Sequence, residues 1–425
     1  MTKSNAIDKI TLVLAIVLMG VRINIIGSIS ITEIFILTQI PRLTIWLKES
    51  RLPYLRKISN AFIILIAVQI LAEIMVGNSL ANSMRGIAVM AFSLLLFLFF
   101  LEKLKNDISL IKWIPVGMLL NLLLFGDQFG FASVDETSYF KFYTAPAVCY
   151  IVCIISLIDN AFIKKYNALF FLAAAAFSFI GGARTIGSIL FCTGLLSLIY
   201  NIYGTLSLKR ILPLAIVTIC ATQIIYSSVY VPKVVAGEWG SRQNKEQLAR
   251  IGNSKNILMM LFSARSDFYI SYRAFLDKPL WGHGAWAIDK GLKYTRMQKA
   301  LFDVSAKKQR HIRRTETHLV PYHSVLIGIA AQNGIFALAA FLSVASIAYK
   351  VAFKATKQDS PYNAFLFYCI MSSVIIILFS PLAVFKNNVA VLFAAMFALY
   401  YNKLRDEIQA VDSNRHLQAQ YPDAV

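Results

Sequence analysis

Long apolar runs alternate with short polar segments along the whole chain. A helix that spans a membrane needs about 20 mostly apolar residues, and the pattern predicts twelve such spans. Their centres lie near Val17, Leu37, Ala67, Leu94, Leu119, Ile154, Ala174, Leu195, Ile216, Leu326 to Ala340, Ser373 and Ala394. The expected fold class is therefore an all-α polytopic membrane protein with about twelve transmembrane helices.

The distribution of basic residues predicts which way these spans face. Six clusters fall between spans on one side, at Lys48 to Lys57, Lys103 to Lys105, Lys164 to Lys165, Lys209 to Arg210, Lys354 to Lys357 and Lys403 to Arg405. The other side carries the single residues Arg22, Arg85, Lys141, Arg184 and Lys386. Lys and Arg collect in cytoplasmic loops, so both termini are expected in the cytoplasm.

One long polar stretch interrupts the series of spans. The expected organisation is spans 1–9 in residues 1–229, a large periplasmic loop with short helices in 230–321, spans 10–12 in 322–405 and a cytoplasmic tail in 406–425. The loop holds seventeen Lys or Arg against seven acids. Long loops cross the membrane regardless of charge, so this excess is compatible with an outer location and predicts an anionic partner there.

Composition supports the membrane class and excludes others. Hydrophobic residues make up 58% of the chain and charged residues 15%, an apolar excess that only a bilayer can solvate. The net charge of +20 would suit a nucleic-acid-binding protein, but the basic residues lie in short clusters between apolar runs, so no nucleic acid is expected. The five cysteines all lie in apolar segments, which predicts neither disulfides nor a zinc site. The run from Ile10 lacks a following cleavage site and is interpreted as an anchor.

Two residues at predicted membrane boundaries are candidates for chemistry. His323 begins the tenth span, where partial desolvation would keep an imidazole neutral and able to accept a proton. Arg184 follows Gly181 and Gly182, and its guanidinium could bind two phosphate oxygens beside exposed backbone amides. The structural alternatives are an interfacial or helix-capping histidine and an arginine that marks a helix end.

The loop holds further candidates. Arg265 and Arg273 are potential phosphate ligands, with ion pairing along a helix face as the alternative. A basic run would hold phosphate groups of a substrate or rest on anionic lipids; it comprises Lys307, Lys308, Arg310, Arg313 and Arg314. His283 and His318 are candidate second bases. Neither metal-ligand spacings nor a P-loop nor a serine-nucleophile motif occurs in the outer segments, so no metal or cofactor is expected.

Three separated pieces together resemble the O-antigen ligase and polymerase superfamily. They are the Gly-Gly-Ala-Arg184 turn, Arg265 ahead of Pro279-Leu-Trp-Gly-His-Gly284, and His323-Ser324 followed by Gly334. The resemblance implies a GT-C-like bundle that acts on a glycan attached to undecaprenyl diphosphate. It further implies that Arg184 and Arg265 bind the diphosphate and that His323 acts as the base for an acceptor hydroxyl.

The superfamily contains two activities, and a third class stays open. A polymerase joins lipid-linked repeat units, with a chain-length regulator as a further partner, whereas a ligase moves the glycan onto lipid A-core. The stretch from Trp281 favours the polymerase, and the basic run from Lys307 would suit a ligase. A lipid-linked sugar flippase would keep acids within spans and show two similar halves; Glu73 is the clearest acid in a span, and no half repeat is visible.

Overall fold

The structure, a computed structural model, is helical almost throughout. It describes residues 3–24, 27–126, 139–204, 206, 213, 216–217, 220, 223–239, 245, 248–249, 252–256, 259, 266–302, 318–322, 324–357 and 360–420. The helices are α1 Lys3–Val17, α2 Ile31–Thr38, α3 Ile40–Glu49, α4 Leu55–Val76, α5 Leu80–Asn106, α6 Trp113–Phe125, α7 Ala145–Ser156, α8 Ala161–Ile180, α9 Arg184–Tyr203, α10 Val231–Ala236, α11 Ser266–Asp277, α12 Lys293–Phe302, α13 Val325–Ala355, α14 Asn363–Phe379, α15 Leu382–Val384 and α16 Ala390–Gln420.

Short irregular helices extend several of these elements. Tight turns of 3₁₀ type occur at Leu18–Gly20, Ile108–Lys112 and Lys290–Leu292, and π-type turns at Phe140–Thr144, Tyr226–Tyr230 and Phe385–Val389. Strands β1, Arg22–Asn24, and β2, Ser28–Ser30, form an antiparallel hairpin in which Arg22 pairs with Ser30. This hairpin is the only sheet in the described part of the chain and a small exception to the all-α expectation.

The chain is a helical membrane protein. Within the described ranges, six helices are long and apolar enough to cross a membrane: Leu55–Val76, Leu80–Asn106, Ile108–Phe125, Ala161–Ile180, Arg184–Tyr203 and Val325–Ala355. Phe140–Ser156 and Asn363–Phe379 are apolar but shorter. These eight helices coincide with eight of the twelve predicted spans. The span predicted near Ile216 falls largely outside the described residues.

Two predicted span centres are displaced in the structure. Val17 is the last residue of α1 rather than its centre, because the apolar sequence that follows it forms the β1–β2 hairpin. The span centred on Leu37 consists of two helices, α2 and α3, separated at Gln39 by the proline at the start of α3. Hydropathy averaged over a window does not distinguish an apolar hairpin or a broken helix from one continuous helix.

The centre of the bundle is the first part of α16. All residues from Ala390 to Leu399 are at most 2% exposed, as expected for a helix that is apolar on every side. Helices α5, α13 and α14 surround it. The backbone of α16 continues as helix to Gln420, through most of the segment predicted as a tail.

Cationic side chains from several predicted cytoplasmic clusters meet at one end of this bundle. Lys103 at the end of α5 bonds Asp8 of α1 at 2.6 Å. Lys354 at the end of α13 bonds the Tyr54 hydroxyl at 2.7 Å, and Lys403 of α16 bonds the Asn363 side chain at 3.1 Å. We call this the lysine end. The opposite end, where α4 ends and α5, α9 and α13 begin, is called the loop end.

Candidate functional site

At the loop end, the turn Pro279–Trp286 is inserted into a break in α13. In an unbroken helix the backbone N–H of Ile335 would bond the carbonyl of Ala331. Here Ile335 N donates to Pro279 O at 2.8 Å, and Ala331 O accepts from His283 N at 2.9 Å. Gln332 O likewise accepts from Gly284 N at 2.8 Å. The turn therefore replaces helical hydrogen bonds with its own backbone groups.

Gly334 makes this break possible. Its φ of 80° and ψ of −172° lie outside the helical region and are accessible almost exclusively to glycine. A Cβ at this position would lie 1.9 Å from the carbonyl oxygen of Leu280, which is backbone and cannot rotate away. The Pro-Leu-Trp-Gly motif and Gly334 thus contact each other through their backbones.

The carboxylate of Glu73 binds the turn from the other side. Glu73 is 4% exposed near the end of α4, and its Oε1 accepts from Ala285 N at 2.7 Å and Asn333 Nδ2 at 3.0 Å. Its Oε2 accepts from Asn78 Nδ2 at 2.6 Å and Ser83 Oγ at 3.1 Å. Four donors compensate for the burial of this charge, and they tie α4, α5, α13 and the turn into one unit.

His283 connects the turn to the loop helices. Its Nε2 lies 2.9 Å from the carbonyl oxygen of Ala274 on α11 and 3.1 Å from the hydroxyl of Tyr294 on α12. A carbonyl only accepts, so Nε2 carries the proton. Tyr294 then donates to Asp277 at 2.6 Å. Burial lowers the pKa of His283, which therefore is neutral at pH 7 and fastens the turn to α11 and α12.

Asp277 accepts hydrogen bonds from Lys293 and Tyr294, and these bonds lower its pKa. Arg273, one of the candidate phosphate ligands, is exposed on α11 one turn before Asp277 and acts on its pKa in the same direction. Burial, followed by the hydrogen bond to Asp277, raises the pKa of Tyr294. Arg273 is therefore accessible to a ligand, and its described electrostatic neighbours are Asp277 of its own helix and Tyr294 of α12.

His318 lies on a short extended segment that runs beside the turn. Its carbonyl oxygen accepts from Asp289 N at 2.8 Å, and Val320 N donates to Ala287 O at 3.0 Å. The side chain of Asp289 is 3% exposed and accepts from both Thr295 N and Thr295 Oγ1 at 2.7 Å. The described contacts of His318 are thus those of its backbone, and they hold the chain that leads into α13.

Arg184 is the first residue of α9, directly after the Gly181–Gly182 turn. Gly182 has φ +80°, and the ring of Phe140 fills the space that a side chain at Gly181 would need. The Arg184 Nη2 lies 3.1 Å from the Tyr230 hydroxyl. The N-cap residue Ala183 makes no side-chain capping bond, and the positive end of the α9 dipole lies beside a guanidinium, an arrangement that favours anions.

Lys141 adds a second cation to this position. Its Cε lies 3.6 Å from the point where a Cβ would sit on Gly182, so it lies beside the turn that leads to Arg184. Arg184 also acts electrostatically on Tyr226, whose ring stacks on Tyr230 at 5.6 Å. Tyr230 is the first residue of the segment that was predicted as the outer loop, and Tyr226 lies one turn before it.

The start of α9 and the start of α13 lie at the same end of the bundle. Tyr200, late in α9, contacts Phe367, early in α14, with ring centroids 5.7 Å apart. The two helices therefore run antiparallel, and Arg184 lies toward the end of α14. At that end the side chain of Ser324, the N-cap of α13, lies 3.4 Å from the carbonyl oxygen of Ile377. Arg184 and Ser324 therefore both lie toward the same end of α14.

Several predicted site residues fall outside the part of the chain that the structure describes. They are Arg265, His323 and the basic run Lys307, Lys308, Arg310, Arg313 and Arg314. Their roles stay predictions. Among the side chains that are described, no group of three His, Cys, Asp or Glu is arranged to hold a metal ion.

No protein-family model matches the chain, and no curated protein is significantly similar to it. The resemblance to the O-antigen ligase and polymerase superfamily therefore stays a prediction from the residues. Sequence reasoning missed the polar cluster of Glu73, Asn78, Ser83 and Asn333 as a feature of the site. The available signal was an acid in an apolar helix together with a Gln-Asn-Gly sequence inside a predicted span.

Proposed function

We propose that this chain is a glycosyltransferase of the bacterial inner membrane. It takes a glycan from undecaprenyl diphosphate at the periplasmic face, without a metal ion, and joins it to another lipid-linked glycan as an O-antigen or surface-polysaccharide polymerase. In this proposal the loop end faces the periplasm, both termini are cytoplasmic, and residues 230–321 form the periplasmic loop. Transfer onto lipid A-core by a ligase is the alternative within the same chemistry.

The observation that carries the proposal is the position of Arg184. A guanidinium at the positive end of α9, with the Tyr230 hydroxyl at 3.1 Å and Lys141 beside the preceding turn, offers several N–H and O–H donors for a phosphate group. The start of α13, which directly follows His323, lies at the same end of the bundle. A diphosphate bound at Arg184 and a base at the start of α13 would lie on either side of the end of α14.

The proposed reaction is a substitution at the anomeric carbon of the donor. The acceptor hydroxyl oxygen forms the new bond to this carbon as the bond to the diphosphate breaks. The diphosphate leaves with the electron pair, stabilised by Arg184 and Arg265, and His323 takes the proton of the hydroxyl. Two guanidinium groups make the diphosphate a sufficient leaving group, so we expect transfer to continue in excess EDTA.

Deletion of the gene, followed by gel analysis of the surface polysaccharide, tests the activity. A core that carries a single repeat unit would support the polymerase. A bare core with polymer retained on the carrier lipid would identify a ligase, and unchanged polysaccharide would contradict both. The orientation has its own test: Ser305→Cys should react with a membrane-impermeant thiol reagent in intact spheroplasts, whereas labelling only after lysis would place the loop in the cytoplasm.

A further inference from the structure

A second group of basic side chains surrounds the β1–β2 hairpin at the loop end. Arg22, Arg85 and Lys386 are three of the single basic residues that depart from the cytoplasmic clustering predicted by the sequence. Each is partly buried. They come from three distant parts of the chain, namely β1, α5 and the π-turn Phe385–Val389, and the fold brings them to one side of the bundle.

Glu33 is the centre of this group. Its carboxylate is 1% exposed and forms an ion pair with Lys386, whose side chain is 14% exposed. It also accepts from Ser30 N at 2.8 Å, in the capping box of α2. Arg22, which pairs with Ser30 across the hairpin, is close enough to interact with the same carboxylate. One buried acid thus positions two cations.

Arg85 provides the third cation at the tip of the hairpin. Its Cγ lies 3.3 Å from the point where a Cβ would sit on Gly27, in the hairpin turn. Lys386 Nζ lies 5.9 Å from the ring centroid of Phe92, seven residues further along α5, a separation of about 10 Å along the helix axis. A guanidinium has five N–H donors, so each arginine can bind a phosphate oxygen while it keeps a protein neighbour.

The surface next to these cations is apolar. Six large apolar side chains near this group are exposed. Ile23 follows Arg22 on β1, Leu80 and Met84 precede Arg85 on α5, and Ile34, Phe35 and Leu37 follow Glu33 on α2. In a membrane protein such side chains contact hydrocarbon. A ligand that fits both surfaces has an anionic head, bound by donors at the end of the spans, and a long apolar chain that lies along α2.

We propose that Arg22, Arg85 and Lys386 form a binding site for the phosphate group of a lipid, with its hydrocarbon chain along the exposed face of α2. The site is separate from Arg184 and independent of the proposed transfer reaction. The lipid is either an anionic phospholipid or a polyprenyl diphosphate, because both join phosphate oxygens to hydrocarbon.

Lipid binding to the purified full-length protein tests this site. Native mass spectrometry would be used with three probes, phosphatidylglycerol, geranylgeranyl diphosphate and phosphate-free diacylglycerol. The variant Arg22→Gln/Arg85→Gln retains the Lys386–Glu33 ion pair and therefore the packing of α2. Each basic residue near an anionic lipid contributes about a fivefold gain in affinity, so the double variant should bind about thirtyfold more weakly. Lys290→Gln/Arg296→Gln, which removes two exposed cations of the loop, is the charge-matched control.

The probes distinguish the source of the phosphate. Weaker binding of phosphatidylglycerol alone would assign the site to a phospholipid, and weaker binding of the diphosphate alone to the polyprenyl carrier; either result supports the site. The proposal would be overturned if the wild type and the double variant bound both phosphate-bearing lipids equally at unchanged melting temperature. It would also be overturned if the wild type bound diacylglycerol as tightly as these two lipids. Arg184→Gln should leave the binding of phosphatidylglycerol unchanged, so failure of this lipid site is separable from failure of the proposed transferase.

Discussion

The Oε1 atom of Glu73 accepts a hydrogen bond from the backbone N–H of Ala285 at 2.7 Å, although 212 positions separate the two residues. Glu73 belongs to α4, and Ala285 belongs to the turn that fills the break in α13. This carboxylate is therefore one of the groups that attach the loop to the membrane bundle. The position of the turn Pro279–Trp286 depends on this hydrogen bond and on the backbone hydrogen bonds to Ala331 and Gln332.

Glu73→Gln should loosen the turn. The amide has one acceptor oxygen and one donor nitrogen, and each carboxylate oxygen now accepts two hydrogen bonds, so the new N–H donors would oppose two of the four groups that point at the carboxylate. Hydrogen bonds to charged groups contribute about 1.5–3 kcal/mol each, and we expect the free energy of unfolding to fall by at least that amount. Hydrogen exchange of the amides of His283 to Ala285 should accelerate. Glu49→Gln, at an exposed position of α3, should leave both quantities unchanged, and slow exchange in Glu73→Gln would contradict the role.

Gly334→Ala should expel the turn from α13. Alanine at φ +80° is strained by about 1–3 kcal/mol, and its Cβ would overlap the carbonyl of Leu280. Gly328→Ala is a matched control in the same helix, because its Cβ would meet only the Tyr322 Cβ at 3.6 Å. Melting temperatures of the two variants are to be compared with wild type. A large drop for Gly334→Ala and none for Gly328→Ala is expected; equal effects would show that the break is not essential.

Acid should weaken the attachment of the turn through His283. Burial lowers the pKa of this histidine in the folded protein, so its contribution to stability is complete above the unfolded pKa of about 6.5 and is lost as the pH falls from there toward the lower folded pKa. The Asp277 contribution is lost only below pH ~4. Melting temperatures between pH 7.5 and 5.5 should fall more steeply for wild type than for His283→Gln. Parallel curves would remove His283 from the pH dependence.

Arg184→Lys should impair transfer nearly as much as Arg184→Ala. Lysine keeps the charge but loses the planar group that binds two phosphate oxygens together, and it loses the geometry of the contact with Tyr230. Transfer from a lipid-linked donor is measured with purified protein. Tyr230→Phe removes only the hydroxyl partner and should cause the smaller loss. Near wild-type activity of Arg184→Lys would reduce Arg184 to a point charge.

His323→Ala should lose most turnover while donor binding persists. Proton transfer by a positioned base accelerates such reactions about a hundred- to ten-thousand-fold, whereas the donor is bound through Arg184 and Arg265. Donor binding and glycan transfer would be measured in parallel on the same preparation. Normal transfer would exclude His323 as the base and direct attention to His283 or His318. Loss of binding together with transfer would indicate a structural residue.

Hydropathy was sufficient for the outline of the bundle. Eight apolar helices coincide with predicted spans, because the apolar run of a membrane helix is both its cause and its sequence signature. Lys103, Lys354 and Lys403, from three of the predicted basic clusters, lie at the same end of the bundle. Hydropathy and basic-residue patterns reflect the bilayer and not the neighbours of each helix, so each can be recognised from a short stretch of sequence.

The break in α13 has no such local signature. Asn333 and Gly334 occur in an apolar run that hydropathy interprets as one continuous helix, and only the turn, some fifty residues earlier, explains why the helix opens there. Glu73 has the same property: an acid in a span suggests transport until its four donors are known. Both features depend on pairing between distant segments, which a single sequence does not reveal.

The insertion of the turn also sets an order of assembly. Residues 279–286 are synthesised before α13, yet the carbonyls of Ala331 and Gln332 and the N–H of Ile335 have their hydrogen-bond partners in that turn. Backbone groups without partners in hydrocarbon are costly, so α13 reaches its final form only after the turn has folded back onto it. A chain in which the turn is held elsewhere would thus carry an incomplete helix.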